Sequence, residues 1–150
     1  MYGVIDFKGK TVLITGAARG IGKEIAKAFA QTNCSLILCD LESNSRLLQK
    51  TVNEIKDEFN VNCECYDMDI RNISNIENVA MNIENSGQTI DILINNAGTN
   101  SYFSPFEIDE KEWDRVLDTN LKGTFFVTKI MSEHFLIKQK GRSEERRVGK

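Results

Sequence analysis

The sequence predicts an α/β domain with a doubly wound parallel sheet, and two observations carry that prediction. Four short apolar runs of strand length alternate with longer segments in which apolar residues recur every three or four positions. No internal repeat, low-complexity segment or linker interrupts this alternation. Such a pattern implies right-handed βαβ crossovers, helices on both faces of the sheet and a strand order of 3-2-1-4. We expect about the first four βα units of such a domain, with the fourth strand at a bare edge.

The first unit, residues 11–29, is predicted to be a strand, a glycine turn and a helix. Its apolar run ends before three glycines, Gly16, Gly20 and Gly22. A residue without Cβ can adopt a positive φ and lets the backbone approach a diphosphate, which the N–H groups at the start of the helix would bind. The unit therefore indicates a dinucleotide-binding turn, the alternative being a tight turn that binds nothing. We expect the helix to pack on the sheet through Ile21, Ile25, Ala28 and Phe29.

The remaining elements follow in order along the chain. Strands are expected at residues 35–39, 61–66 and 90–95, and helices at about 43–59, 74–84 and 109–135. Asp109, with Glu112 three positions later, is typical of a capped helix start. The stripes expected to face the sheet are Leu48, Val52, Ile55 and Phe59 in the first of these helices, and Ile76, Val79, Ala80 and Ile83 in the second. In the last helix the stripe is Trp113, Val116, Leu117, Leu121, Thr124, Val127 and Met131.

Composition excludes several classes of protein. A hydrophobic content of 41% and a charged content of 27% are ordinary for a domain with its own core. The sequence has no apolar run of membrane-spanning length and no apolar leader in its first ten residues, so we expect a cytoplasmic protein without a membrane partner. A net charge of −3 gives no reason to expect nucleic acid. We interpret the cysteines as reduced core residues rather than metal ligands: Cys34, Cys39, Cys63 and Cys65.

Two charged residues bear on which dinucleotide would bind. Asp40, at the carboxyl end of the second strand, is placed to accept hydrogen bonds from both ribose hydroxyls, and its charge would repel a 2′-phosphate. Arg19, just before the second glycine, favours NADP because a guanidinium can pair with a 2′-phosphate. We give Asp40 more weight and predict NAD, with NADP left open. The alternative for Asp40 is a solvated strand end.

The chain resembles the short-chain dehydrogenase/reductase family over about residues 7–141. The sequence TGAARGIG, residues 15–22, is similar to the family's TGxxxGxG motif, and NNAG, residues 95–98, is similar to a second family motif. The second motif follows the fourth strand, at the crevice where strand order reverses and ligands bind. The resemblance implies a Rossmann-type domain that binds NAD(P). The motif residues implied to contact the cofactor include Thr15, Ile21, Asn96, Ala97 and Gly98.

The resemblance also implies roles for residues outside these motifs. The family residues that match Asp69 and Ile70 hold the adenine ring, the carboxylate toward the exocyclic amine and the apolar side chain against the ring face. Asn120 stands on the expected stripe of the last helix, so we expect a buried amide that needs partners. A structural asparagine bonded to backbone is the general explanation. The string DTNLKG, residues 118–123, resembles the family segment whose asparagine holds a water for proton relay, which implies a catalytic Asn120.

The resemblance implies an NAD(P)-dependent oxidoreductase that moves a hydride between nicotinamide and a secondary alcohol or ketone. The family reaction needs a serine and a Tyr-x-x-x-Lys, and no Tyr-x-x-x-Lys occurs in these 150 residues. We therefore expect an enzyme as the full-length parent and no activity from this chain; the alternative is a non-catalytic dinucleotide-binding module. Residues 100–113 and 118–123 look most like the 3-oxoacyl-carrier-protein reductase and sugar-acid dehydrogenase branches.

The tail and the last helix bear on chain organisation and assembly. Residues 142–150, RSEERRVGK, do not continue the preceding pattern and resemble the in-frame translation of a sequencing adapter. We expect a non-native tail there, with residues 1–141 forming the N-terminal part of a single Rossmann domain. In the family the helix matching residues 109–135 contributes to a dimer face. Phe125 and Phe126, expected to face outward, fit that role and imply a homodimer or homotetramer that acts on a small molecule. The alternative is that one of the two aromatic side chains belongs to the core and the other is merely exposed.

Overall fold

The computed structural model describes residues 6–137 and contains one sheet of four parallel strands. The strands are β1 (Thr11–Thr15), β2 (Ser35–Asp40), β3 (Cys63–Asp67) and β4 (Ile92–Ile94). Their order is β3-β2-β1-β4, which confirms the predicted topology. Leu13 in the centre of β1 lies beside Ile37 of β2 and Leu93 of β4. The expected adapter-like tail at residues 142–150 lies outside the described residues.

Helices cover both faces of this sheet. They are α1 (Gly20–Ala30), α2 (Ser45–Phe59, after a 3₁₀ turn at Glu42–Asn44), α3 (Ile73–Asn85), α4 (Glu110–Leu117) and α5 (Thr124–Met131). A π-helical segment, Asp118–Gly123, joins α4 to α5, and a second, Ser132–Ile137, follows α5. Residues 110–137 thus form one long, irregular helix. Asp109 caps it as predicted, since its carboxylate accepts a hydrogen bond from the Glu112 N–H at 2.8 Å.

The buried apolar side chains form two clusters, one against each face of the sheet. Val12 and Ile14 of β1 belong to the cluster under α1 and α2, whereas Leu13 belongs to the cluster under α3 and α5. Successive strand residues point to opposite faces, so this division follows from the pleat. The predicted stripes of α2 and α3 are confirmed, with Phe59 only partly buried. Among residues 6–137 no helix has both the length and the apolar character needed to cross a membrane.

The predicted contact face of α1 is wrong at Ile21 and Ala28, whereas Ile25 and Phe29 pack against the core cluster as predicted. Ile21 is 75% exposed and Ala28 is exposed, while Ile25 and Phe29 are only partly buried. The buried positions are Gly22, Ala26 and Ala30, which repeat every four residues. Small side chains on this line let the helix come very close to the turn before it: a Cβ on Gly22 would lie 2.2 Å from the Gly16 carbonyl oxygen.

The predicted stripe of the last helix holds only in its second half. Val127 and Met131 are buried as predicted, whereas Trp113, Leu117 and Leu121 are exposed. The sheet ends at β4, and the core cluster that takes up α5 contains no residue of α4. An apolar pattern therefore continues over a part of the helix that has no described surface to pack against.

The cysteines are free thiols in or beside the strands. Cys34, Cys39 and Cys63 are buried and Cys65 is partly buried. Burial raises the pKa of the Cys39 and Cys63 thiols, that of Cys63 to about 12, so both stay protonated at neutral pH. Within residues 6–137, no cluster of three or more histidine, cysteine or acidic side chains is arranged to hold a metal ion.

Candidate functional site

A cleft of about 570 Å³ opens at the carboxyl ends of the strands. Ligands bind at this edge of a parallel sheet, at the point between β1 and β4 where the strand order reverses. The predicted site residues that line it are Thr15, Gly16, Arg19, Gly20, Asp40, Asp69, Ile70, Asn96, Ala97 and Gly98. Ile21 and Gly22 are not in the lining, because Ile21 projects from the first turn of α1 and Gly22 packs beneath the glycine turn.

Gly16 and Gly20 both need glycine, for different reasons. Gly16 has φ +67°, and a Cβ there would lie 2.8 Å from the Cα of Ala97. Gly20 has φ +58°, but a Cβ there would meet no atom within 4 Å. The space above Gly20 is therefore open, beside the first turn of α1, whose N–H groups have no partner within the helix. This arrangement is a cradle for an anion close to the backbone.

Thr15 and Asn96 join the two sequence motifs. The Thr15 hydroxyl accepts hydrogen bonds from the backbone N–H groups of Asn96 at 3.1 Å and Ala97 at 3.0 Å. The Asn96 amide donates to the carbonyl oxygens of Thr15 at 2.9 Å and Gly16 at 3.0 Å. Both side chains are thus used to hold the loop after β4 against the glycine turn. Their effect on a ligand would come through the backbone that they position.

Asp40 is tied to its own turn and to the glycine turn rather than left as a solvated strand end. One carboxylate oxygen accepts from the Leu41 N–H at 2.9 Å and the Asn44 amide at 2.7 Å, and the other accepts from the Ala18 N–H at 2.9 Å. A carboxylate has about four acceptor positions. The structure therefore leaves about one acceptor position of Asp40 for a ribose hydroxyl, whereas the sequence predicted bonds to both hydroxyls.

Asp69 forms an ion pair that the sequence analysis missed. Arg71 binds its carboxylate in a fork, with Nε 2.9 Å from Oδ1 and Nη2 2.6 Å from Oδ2. The Arg71 backbone N–H also donates to Oδ1 at 3.0 Å. These bonds from Arg71 lower the pKa of Asp69 below its usual value, so the carboxylate is ionised at neutral pH.

A second arginine, Arg115 of α4, fastens the loop after β4. Its Nε and Nη2 each lie 2.8 Å from an oxygen of Glu112, and its Nη1 donates to the Thr99 hydroxyl at 2.7 Å. The hydrogen bond from Arg115 lowers the pKa of Glu112 to about 2. Arg71 and Arg115 line the cleft, and each forms an ion pair with a carboxylate, Asp69 and Glu112 respectively. Arg19 also lines the cleft but has no ion-pair partner within residues 6–137. Of these contacts, only the one between Glu112 and Arg115 can be expected from the sequence, because the two residues lie three positions apart on a helix.

Asn120 is not buried, so that expectation is wrong. It lies in the π-helical segment between α4 and α5 and is exposed. Its amide oxygen accepts from the Thr99 N–H at 2.8 Å, and its amide nitrogen donates to the Thr99 carbonyl at 2.7 Å. These two bonds match the structural explanation, an asparagine bonded to backbone. They also hold Asn120 at the loop that follows the Asn-Asn-Ala-Gly sequence.

The fold and the cleft define a nucleotide-binding α/β domain. Comparison with known families identifies it more closely, because the family model described as short chain dehydrogenase matches residues 10–143. The chain belongs to the short-chain dehydrogenase family, a family of oxidoreductases whose cofactor is a nicotinamide dinucleotide.

Individual relatives agree with this assignment. The chain is 32% identical to oxidoreductase UcpA of Salmonella typhimurium over 134 residues, which are 89% of this chain and 49% of that protein. It is 32% identical to the 3-oxoacyl-[acyl-carrier-protein] reductase FabG of Rickettsia prowazekii, over 93% of this chain and 54% of that protein. The structure of L-sorbose reductase from Gluconobacter frateurii, at 23% identity, shares the fold with a TM-score of 0.80 and covers 89% of this chain and 50% of that one. The chain thus spans about half the length of the relatives it matches.

Proposed function

We propose that this chain is the cofactor-binding part of an NAD(P)-dependent oxidoreductase that interconverts a secondary alcohol and a ketone. The observation that carries the proposal is the open cradle above Gly20, inside the cleft and beside the first-turn N–H groups of α1, which have no partner within the helix. A Cβ at Gly20 would enter this space, so the residues present fit a diphosphate. Relatives named as a sorbose reductase and a 3-oxoacyl-[acyl-carrier-protein] reductase support a carbonyl substrate.

Each part of the cleft has a separate task in this proposal. Gly16 and Gly20 admit the diphosphate, while Thr15 and Asn96 keep the loop after β4 in place. The remaining acceptor position of Asp40 takes a ribose hydroxyl, and Asp69 with Ile70 holds the adenine. A bound nicotinamide dinucleotide supplies the hydride chemistry. Asn120 lies outside the cleft lining, where it holds the Thr99 backbone through two hydrogen bonds, and the family resemblance assigns it a water for proton transfer.

NAD is the preferred cofactor in this proposal. The Asp40 carboxylate at the ribose end of the cleft would repel a 2′-phosphate, and three N–H donors hold it there. Arg19 lines the same cleft without an ion-pair partner among residues 6–137, so it can offset part of this repulsion. NADP binding is therefore weaker than NAD binding but measurable.

The chain alone should bind without catalysing turnover. The 150 residues lack the Tyr-x-x-x-Lys that supplies the proton in the family reaction. We further infer that the parent protein is cytoplasmic, in keeping with free thiols, and that it is a homodimer or homotetramer acting on a small molecule. A dinucleotide-binding module without catalysis remains the second candidate, favoured by the same absence of Tyr-x-x-x-Lys.

Calorimetric titration of the 150-residue chain with NAD and NADP tests the proposal. We expect NAD to bind at least several-fold more tightly than NADP. Asp40→Asn should narrow that ratio, since it removes the charge but keeps an acceptor oxygen, and Arg19→Ala should widen it. Addition of NADH and a ketone should give no oxidation. A chain that is folded by circular dichroism and binds neither dinucleotide would overturn the proposal.

A further inference from the structure

Arg71 is the cleft residue whose contacts the proposed function leaves unexplained. It is exposed, with 42% of its side-chain surface accessible, and its guanidinium reaches back two positions to Asp69. The fork and the backbone N–H together give three hydrogen bonds from Arg71 to one carboxylate, between 2.6 and 3.0 Å. Both residues line the same cleft. A two-pronged contact of this kind fixes the plane and rotation of the carboxylate as well as its position.

The fork leaves a defined part of Asp69 free. Oδ1 accepts two of the Arg71 hydrogen bonds and Oδ2 accepts one. Of about four acceptor positions, one remains, on Oδ2. That number matches a single N–H of an exocyclic amine. It would not suit a ligand group that must donate several bonds.

The next residue supplies the complementary group. The Ile70 backbone N–H has no acceptor among residues 6–137, and its side chain is 6% exposed. Gly123 approaches this residue closely, since a Cβ there would lie 2.8 Å from the Ile70 carbonyl oxygen. The loop is therefore held between the long helix and the sheet. One free acceptor beside one free donor is the pattern that a 6-aminopurine edge requires.

We propose that Arg71 is a positioning residue for adenine recognition, which sets the Asp69 carboxylate so that its one free acceptor meets the exocyclic amine. This inference rests on the proposed function, because it takes the cleft to hold an adenine dinucleotide. Arg71 does not touch the ligand itself. It converts a carboxylate that could rotate into one with a single open direction, and so provides selectivity for an amine at that ring position.

The test compares two ligands that differ only at the amine. ADP and purine riboside 5′-diphosphate, which carries hydrogen in place of the amine, are titrated calorimetrically into the 150-residue chain. We expect the wild-type chain to bind ADP about tenfold more tightly, the effect of one hydrogen bond to a charged group. Arg71→Ala should weaken ADP binding to nearly the affinity of the purine riboside, whose own binding should not change.

Variants separate positioning from general damage. Asp69→Ala should remove the selectivity, and Arg71→Ala added to it should change the ratio no further, because both act through one contact. Arg46→Ala is the matched control, since Arg46 is exposed on α2 and lies outside the cleft lining. If Arg71→Ala does not fold, Arg71→Gln serves instead, because it keeps a donor but not the fork. A tenfold ratio retained by that variant would contradict the inference.

The outcomes distinguish the two proposals. Equal weakening of both ligands by Arg71→Ala would place Arg71 on the diphosphate or in folding, and would overturn the positioning role. Equal binding of both ligands by the wild-type chain would overturn it too, while leaving dinucleotide binding intact. Failure of a folded wild-type chain to bind ADP at all would remove the proposed function along with it.

Discussion

At the scale of single residues, most polar side chains of the cleft bind protein before any ligand arrives. Thr15 and Asn96 hold two loops together, and Asp40 accepts two hydrogen bonds from its own turn and one from Ala18 of the glycine turn. Preformed contacts of this kind reduce the cost of ordering the site when a ligand binds. The part of the site that meets a diphosphate is therefore mainly backbone, and glycines decide how close it can come.

Gly22 tests this view of the glycine turn. Gly22→Ala places a Cβ 2.2 Å from the Gly16 carbonyl oxygen, so α1 must move away from the turn, and we expect a loss of about 3 kcal/mol in unfolding free energy. Gly20→Ala is the matched variant. Its Cβ meets no atom within 4 Å, so it should cost only about 1 kcal/mol for the positive φ. Urea denaturation measures both; equal losses would contradict the close packing of α1.

The sequence located the residues of the cleft better than it located their contacts. Glycines and the Asn-Asn-Ala-Gly string are local signals, and all the residues predicted to bind the cofactor, except Ile21 and Gly22, line the cleft. The ion pair of Arg71 was not predicted, because a charged residue two positions after Asp69 is ordinary on a surface. The contact of Arg115 with Thr99 was not predicted, because the two residues are 16 positions apart and meet only in the folded chain. Tertiary contacts of this kind leave no periodic signal.

At the scale of elements, the long helix at residues 110–137 is held in two different ways along its length. α5 is fixed by core packing, whereas α4 is held mainly by polar contacts, with Arg115 linking Glu112 to Thr99 and Asn100. The π-helical segment between them carries Asn120, which bonds the same loop. Interruptions of this type recur at functional sites in helices. The predicted stripe failed at α4 because the pattern does not reveal where the sheet ends.

The Glu112 carboxylate makes the attachment of α4 sensitive to acid. Its pKa in the fold is about 2, against a usual value near 4.5, because Arg115 stabilises the charged form. Its stabilising effect is therefore complete above about pH 4.5 and is lost as the pH falls toward 2. We expect the wild-type chain to unfold at higher urea than Glu112→Gln at pH 6, with the difference vanishing near pH 2.

Glu110→Gln is the control for this titration. It removes the same charge from the same helical turn without touching the Arg115 contact. Its difference from the wild-type chain should stay small between pH 6 and pH 2. A Glu112→Gln difference that does not change over this range would show that the ion pair has no part in stability.

At the scale of the whole molecule, the sequence predicted the topology completely and the outer surface less well. Alternating strands and helices with right-handed crossovers imply a doubly wound sheet, and β3-β2-β1-β4 is the order usual in its dinucleotide-binding form. Exposure depends on what lies outside each helix, and sequence patterns cannot show it. Phe125 and Phe126 illustrate the difference: both were expected to face outward, but Phe126 packs against the core cluster and only Phe125 is exposed, at 61%.

The two phenylalanines give a matched test of whether this helix face associates. Leu121, 67% exposed, lies four positions before Phe125, so this part of the long helix exposes two apolar side chains at nearby positions. Phe125→Ser should weaken self-association at least tenfold in sedimentation velocity and leave the unfolding free energy within about 0.5 kcal/mol. Phe126→Ser should do the reverse, lowering that free energy by about 2 kcal/mol through lost core contacts. If Phe125→Ser leaves the association constant unchanged, this face does not join two copies of the chain.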